Sequence, residues 1–566
     1  MGLCRKAAVL LVLAMILFVV PCPAEEGGGE VRILVLETTD IHGYIVDASS
    51  GKPESFQHRM ACIAHDVGEA RSSGLYDDVI LLDGGDLYQG TPVSNLTGGA
   101  TVRAVVDRLK YDAVVLGNHE FDWDVTEYAA DSRGTVPPYE LGDRFGDPDV
   151  PVLASNLYDA GSGQRVPFTK DYVILEKAGK RIAVIGYIPD YHRDIMVSKI
   201  APYRIDGSLE RLDGLVRRVS AEELPDAVII LAHEDPETLA AAMDPSLVAL
   251  VAGGHTHQVS VGTAANGIPF IQGRCYAQGY ASAVLVIGPQ GCSVEDTRYT
   301  SIMEDRSLLL ATEENAPHLD SEIMEMANAA WDAVSDRMGE VLGYIDKPVV
   351  SEWSAVGASS AGNWFTGLML RATRPYGTVA AFYNTGGIRA DFTLPAGAET
   401  RTVTAYDVYS IAPFCNSWLV FEITGAELKQ QLVNGLGHPN QGDQLSGLTF
   451  TYTATGNPDT PRDKREYTIL SITLSDGTPV DPEGTATLYR VCTSDYNATQ
   501  PGSVFEGKEP VVPAAESPID NEIMITLLRE EGQANGGYLA VDDGPRGIEV
   551  EEGQEPARET EEPGAA

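Results

Sequence analysis

The sequence predicts an α/β protein whose N-terminal part layers helices on a pair of mixed sheets. Three observations carry that expectation. Short runs rich in Val, Ile and Leu at residues 31–37, 79–82, 113–116, 227–232 and 247–252 barely alternate, so they read as strands buried on both faces, as in parallel sheets. Helical patterns separate the first of them: residues 57–72 carry Met60, Ile63, Ala64 and Val67 at helical spacing, and residues 101–110 form a second such stretch. Further on, residues 270–287 and 292–300 read as short antiparallel strands, which makes the sheets mixed.

The chain has 566 residues, more than one hydrophobic core organises, so two domains with a connection are expected. Its 43 % hydrophobic content and 57 glycines suit a globular α/β enzyme and not a disordered chain. Residues 1–24 read as an export signal. Arg5 and Lys6 form the charged start, residues 7–20 an apolar stretch too short to span a bilayer comfortably, and Cys22, Pro23 and Ala24 a cleavage site. A lipid anchor on Cys22 stays open as the alternative, with Pro21 counting against it. No later stretch is long and apolar enough to be transmembrane, so the expected location is periplasmic or extracellular.

Forty Lys and Arg face 82 Asp and Glu, a formal net charge of −42. Phosphate backbones need basic surfaces, which excludes a nucleic-acid polymer as partner. Of seven cysteines, Cys4 and Cys22 fall in the signal, and the remaining five include no CxxC pair. That argues against a dense disulfide framework or a zinc finger, while a Cys275–Cys292 bridge between neighbouring strands stays open.

Residues 31–308 make the expected first domain and 309–343 a linker helix, in which Ile323, Met326, Ala327, Ala330, Val334 and Met338 share one face. Residues 344–545 form a second α/β region, with a helix over 364–370, strands over 379–383 and 420–423, and a helix beginning at Gly425. Residues 546–566, with Glu549, Glu551, Glu552 and Glu555 among Pro and Gly, read as an acidic disordered tail.

The chemistry lies where the strands end. Asp40, His42, Asp86, Asn118, His119, His233, His255 and His257 all stand in polar loops directly after apolar runs, and five of the chain's 10 histidines are among them. Any one of these histidines alone is as readily a hydrogen-bonded structural residue. Together the carboxylates, amide oxygen and imidazoles suit borderline and hard divalent ions such as Mn, Zn, Co or Fe. Two such ions about 3.5–4 Å apart, sharing a carboxylate, would clamp both oxygens of an in-line phosphoryl displacement. Asp122 stands three residues after His119, where it can orient the imidazole.

Taken in order, Asp40-Ile41-His42, Gly84-Gly85-Asp86, the Gly117-Asn118-His119-Glu120-Phe121-Asp122 loop, an isolated His233 and Gly254-His255-Thr256-His257 resemble the calcineurin-type metallophosphoesterases. Asn384-Thr385-Gly386-Gly387-Ile388-Arg389 and Pro413-Phe414 narrow the resemblance to the exported 5′-nucleotidase family, over residues 31–545. The resemblance implies an N-terminal four-layer α/β/β/α domain and a smaller C-terminal substrate domain. It implies one metal held by Asp40, His42, Asp86 and His257 and a second by Asp86, Asn118, His233 and His255, with Asp86 bridging. In many relatives a Gln stands where this chain has His257. His119, oriented by Asp122, would sit against the scissile phosphate. Phe414 and Tyr496 would sandwich the base, and Asn384 and Arg389 would contact ribose or phosphate. A hinge near residues 339–343 would let the second domain rotate.

Two departures from the family pattern bear on the substrate. No Arg precedes Asn363 in residues 355–360, and Thr499-Gln500-Pro501-Gly502 replaces the usual Gly-Gly-Asp after the second aromatic. The expected function is an exported dinuclear-metal phosphohydrolase of small nucleotides, a 5′-nucleotidase in which a metal-bound hydroxide attacks phosphorus. Within the enzyme class the alternative is a 2′,3′-cyclic-nucleotide phosphodiesterase with 3′-nucleotidase activity, toward which residues 88–92 lean, or a UDP-sugar hydrolase. From a different class comes a non-catalytic nucleotide-binding surface protein, against which His119 and Asp122 argue.

Overall fold

Period-2 alternation decides which face each central strand gives to which layer. In Lys180–Tyr187, Ile182 and Val184 enter the large core, while Ala183, Ile185 and Tyr187 join Leu212, Leu215, Val216 and Val219 of the helix Leu209–Glu223 in a separate apolar cluster. Ala227–Ala232 does the same, with Ala227, Ile229 and Leu231 on one side and Val228, Ile230 and Ala232 on the other. A strand buried on both faces shows no polar side, which is why these runs read as continuously apolar. The computed structural model describes residues 29–48, 52–122, 150–190, 195, 200–352, 359–414, 416–438, 442–456, 460–500, 502–512, 517 and 520–550. The expected export signal, most of the acidic tail, Cys415, Pro501 and residues 355–358 lie outside the described residues.

Two six-stranded sheets form the N-terminal part. The first runs Gly291–Ser301, Gly279–Gly288, Val31–Thr38, Asp78–Asp83, Ala113–Val115 and Val152–Leu153, parallel from Val31–Thr38 onward and antiparallel before it. The second runs Ser260–Thr263, Pro269–Gln272, Leu250–Ala252, Ala227–Ala232, Lys180–Tyr187 and Tyr172–Lys177, with a parallel centre and antiparallel edges. Helices Arg59–Ser72, Ala100–Leu109 and Ser321–Met338 lie on the first sheet's side, and Leu209–Glu223 and Pro236–Ala242 against the second. Helix, sheet, sheet, helix is the expected four-layer order.

Three expectations are corrected. Residues 270–287 do not belong to one antiparallel unit: Pro269–Gln272 pairs parallel with Leu250–Ala252 in the second sheet, and Gly279–Gly288 belongs to the first. The chain crosses between sheets at residues 273–278, where Tyr276 and Ala277 take φ of 61° and 49°. Cys275 and Cys292 are both free thiols, because Cys292 sits opposite Ile287 in the hairpin and Cys275 lies in the crossing. Gly547–Glu549, inside the stretch expected to be unstructured, pairs parallel with Phe450–Tyr452 and adds an edge strand.

The helix Ser321–Met338 is capped by Asp320, whose side chain accepts from the Ile323 amide, and it packs on the N-terminal part. Its Trp331 touches Phe56 on that side (ring centroids 4.9 Å apart) and Tyr406 of the C-terminal part (5.7 Å). Val341–Ile345 follows as a strand paired with Arg401–Thr404. The C-terminal part has one four-stranded sheet ordered Trp418–Thr424, Leu488–Ser494, Ala380–Asn384, Asp443–Ser446, and a second built on the Leu448–Ala454 and Tyr467–Leu474 pair. Among the described residues no helix is long and apolar enough to cross a membrane.

Candidate active site

Five parallel strands, three from the first sheet and two from the second, aim their C-terminal ends at one point. Open α/β sheets bind ligands at this edge, because the loops there are free to carry polar groups. Val31–Thr38 delivers Asp40 and His42, Asp78–Asp83 delivers Asp86, Ala113–Val115 delivers Asn118 and His119, Ala227–Ala232 delivers His233, and Leu250–Ala252 delivers His255 and His257. The loops meet through glycine. A Cβ on Gly84 would lie 2.5 Å from the Gly253 carbonyl oxygen, and one on Gly254 would lie 2.6 Å from the Gly84 carbonyl oxygen.

The ligand-type atoms of Asp40, His42, Asp86 and His257 all fall within 4.8 Å of one another, and so do those of Asp86, His233 and His255. Asp86 belongs to both groups. Its Oδ2 lies 3.7 Å from His42 Nε2 and 3.1 Å from His233 Nε2. Asn118 Oδ1 completes the second group, 3.3 Å from His233 Nε2 and 3.1 Å from His255 Nδ1. Two imidazoles are held from behind: His42 Nδ1 donates to the Gln89 carbonyl (2.8 Å) and His233 Nδ1 to the Gly84 carbonyl (2.6 Å). Those bonds orient each ring so that its Nε2 faces the centre.

Electrostatics favour added positive charge here. Burial alone would suppress charge on His233 and His257, yet Asp86 raises His233 to about 10, and Asp40 with the Cys275 thiol raises His257 to about 11. His255 goes the other way, pushed down to about 4 by burial and by His233. Burial also opposes charge on Asp86, but His233, His119 and His42 hold its carboxyl well below the usual range. Asp40 Oδ1 is buried without a hydrogen bond among the described residues, with His257 Nε2 at 3.4 Å. Two buried carboxylates that draw protons onto neighbouring imidazoles suit divalent cations, so the donor set fits a divalent metal.

The backbone is strained at the same residues. Asp40, His42, Asp86, His255 and His257 have φ of 51°, 49°, 55°, 71° and 58°, a region that non-glycine residues rarely adopt. Such strain persists only where surrounding structure enforces it, and it collects at functional sites.

His119 and Asp122 meet as expected, with Nδ1 2.6 Å from Oδ2. Burial opposes charge on His119, but Asp122 and then Asp86 outweigh it and raise its pKa. Its backbone amide donates to Asp86 Oδ1 (2.8 Å), so the loop holds the shared carboxylate independently of the side chain. A cavity of about 210 Å³ opens beside it, lined from the N-terminal part by Asn118, His119, Asp122 and His255 and from the C-terminal part by Asn384, Arg389, Phe414 and Tyr496. All four C-terminal residues singled out in the sequence reach it. Phe414 lies 5.4 Å from the His119 ring, and the Arg389 guanidinium lies 5.5 Å over Phe414. Asn384 Oδ1 is buried with no hydrogen-bond partner among the described residues. Asn156 is a structural residue: its amide bonds the Ile188 and Asp206 carbonyls, tying two loops together.

Sequence reasoning passed over two residues of the centre. Glu120 stands inside the ligand-bearing loop and is buried; it accepts from the amides of Asp86 (3.0 Å), Leu87 (2.8 Å) and Gly117 (2.6 Å). Burial and the Asp86 charge raise its carboxyl to about 7. An acid amid ligands was its visible signal. Tyr276 gave none, because only the sheet crossing brings its ring within 5.6 Å of His42 and 5.3 Å of His257. Glu120→Gln is expected to turn its side-chain NH2 toward at least one of the three backbone N–H groups that the carboxylate now accepts from, weaken metal binding by roughly 10–100-fold and lower the melting temperature. Metal titration and thermal unfolding of the variant check this; unchanged affinity would show that the Asp86 loop holds itself.

The calcineurin-like phosphoesterase family model matches residues 33–259, and the 5′-nucleotidase C-terminal domain model matches residues 341–506. The trifunctional nucleotide phosphoesterase protein YfkN of Bacillus subtilis (strain 168) is 25 % identical over 471 residues, which are 77 % of this chain and 30 % of that protein. The chain thus spans less than a third of that relative's length. A snake venom 5′-nucleotidase of Naja atra is 25 % identical over 467 residues, covering 76 % of this chain and 83 % of the venom protein. The crystal structure of a 5′-nucleotidase precursor from Thermus thermophilus superposes with a TM-score of 0.71 at 22 % identity, covering 92 % of this chain and 100 % of that one, which shows a shared fold. Two matched domains in the expected order, the first of them carrying a metal-type cluster, place the chain in the 5′-nucleotidase family of calcineurin-type metallophosphoesterases, a family of hydrolases.

Proposed function

We propose that the protein is an exported dinuclear-metal phosphohydrolase that releases phosphate from nucleoside monophosphates. The observation that carries this reading is the shared cavity, where Asn118, His119 and His255, at the margin of the metal-type cluster, face Arg389, Phe414 and Tyr496 on the other wall. Export is carried by residues 1–24, charged and then apolar.

Asp40, His42, Asp86 and His257 would hold one ion and Asp86, Asn118, His233 and His255 the other. When bound, the ions supply Lewis-acid polarisation of phosphoryl oxygens and acidify water. His119 keeps Nε2 for a substrate oxygen, because Asp122 accepts from its Nδ1. Arg389 offers a planar fork suited to phosphate oxygens. Phe414 and Tyr496 give the base apolar faces that exclude water and accept any base, since every base has a π-face.

Turnover of AMP, 3′-AMP, 2′,3′-cyclic AMP, UDP-glucose and ATP by the purified metal-loaded protein tests the assignment. AMP is expected to give the highest kcat/KM; turnover of the cyclic or 3′ ester alone would overturn it. Phe414→Ala and Tyr496→Ala are each expected to weaken AMP binding by about 1–3 kcal/mol. Hydrolysis of p-nitrophenyl phosphate, which has no base, should change far less. Equal losses on both substrates would assign the rings to packing.

A further inference from the structure

One buried side chain joins the metal-ligand loops to the base-binding wall. Asn95 ends the short helix Pro92–Asn95 and is fully buried. Its Oδ1 accepts from the Gly90 amide at 2.9 Å, and its Nδ2 donates to the Pro413 carbonyl at 2.9 Å, across more than 300 residues of chain. Each end of this link reaches the site. Gly90 follows Gln89, whose carbonyl holds His42 Nδ1, and a Cβ on Gly90 would collide with the His42 carbonyl. That backbone is therefore packed directly against the His42 backbone. Pro413 precedes Phe414, whose ring lies against His119 and under Arg389.

We propose that Asn95 is a positioning residue that sets Phe414, and with it the bound base, in register with the catalytic loops. Only a side chain with an acceptor at one end and a donor at the other meets both neighbours. A carboxylate would keep the Gly90 bond and face the Pro413 carbonyl with no proton to give. A serine is too short to span the two. Because the site is buried, a lost bond is not replaced by water, and the cost appears in how firmly Phe414 is held. The link touches no phosphate, so its effect falls on recognition of the nucleoside.

This inference rests on the proposed nucleotide reading, and the experiment separates the two. Steady-state kinetics of the wild type, Asn95→Asp and Asn95→Ser are measured on AMP and on p-nitrophenyl phosphate, with thermal unfolding of each protein. The expected result is a KM for AMP raised about tenfold, the scale of one buried hydrogen bond, with kcat/KM for p-nitrophenyl phosphate within about twofold of wild type on the same argument. A wild type that cleaves p-nitrophenyl phosphate and no nucleotide overturns the nucleotide reading and this inference with it. A wild type that cleaves AMP, beside variants unchanged on AMP or equally impaired on both substrates, overturns the role of Asn95 alone. Variants that both fail to fold assign Asn95 to the fold and overturn it as well.

Discussion

Asp86→Asn is expected to cost on the order of 10³-fold in turnover, the several kcal/mol of charge stabilisation that a metal centre supplies, and to lower metal content at the same time. Asp86 is the only residue common to both ligand groups. Its carboxylate faces His42 on one side and His233 on the other, at 3.7 and 3.1 Å. An amide of the same shape keeps the backbone bond from Asp86 to Glu120 but removes the charge that both groups share. Metal analysis of the purified variant beside its kcat checks this. Two ions retained per chain with wild-type turnover would sink the shared-ligand assignment.

His119→Ala is expected to lower kcat by about 10²–10⁴-fold, the range for a positioned proton-transfer group, with metal content unchanged. The prediction separates His119 from its neighbours, because its amide and not its ring holds Asp86 (2.8 Å) and neither ligand group includes it. Asp122→Asn should cost less, since the imidazole stays in place but loses the partner that sets its tautomer at 2.6 Å. Loss of metal in His119→Ala would make the residue part of the ligand frame; undiminished kcat would remove it from the chemistry.

Much of this centre was legible in the sequence because burial and chemistry coincide at strand ends. A parallel strand covered on both faces must be apolar throughout, so its last residue is marked by the first polar one, and Asp40, Asp86, Asn118, His233 and His255 each stand within a few residues of that mark. The four C-terminal candidates rested on resemblance, and the cavity lining brings them to the same place. What stayed hidden depends on chain crossings that leave no local pattern. Tyr276 reaches His42 and His257 only because residues 273–278 pass from one sheet to the other. Asn95 sits in an ordinary helical turn, and its partner Pro413 is distant in sequence. Gly547–Glu549 looked like tail because acidity marks exposure, yet an edge strand is half exposed and needs only a backbone partner in Phe450–Tyr452.

The glycine contacts between the two sheets set the gauge of the ligand cluster. Gly84 follows a strand of one sheet and Gly253 and Gly254 a strand of the other, and they meet backbone to backbone with no room for a methyl group on Gly84 or Gly254. Asp86 rides on the first loop and His255 on the second, so the span between them is a distance between two sheets, measured where they touch. One added carbon at either glycine would act as a shim. It would open the angle between the sheets and lengthen that span without altering a single ligand. The two loops are therefore one mechanical part made from two pieces of chain: neither can be altered for a larger or smaller ion unless the other yields with it.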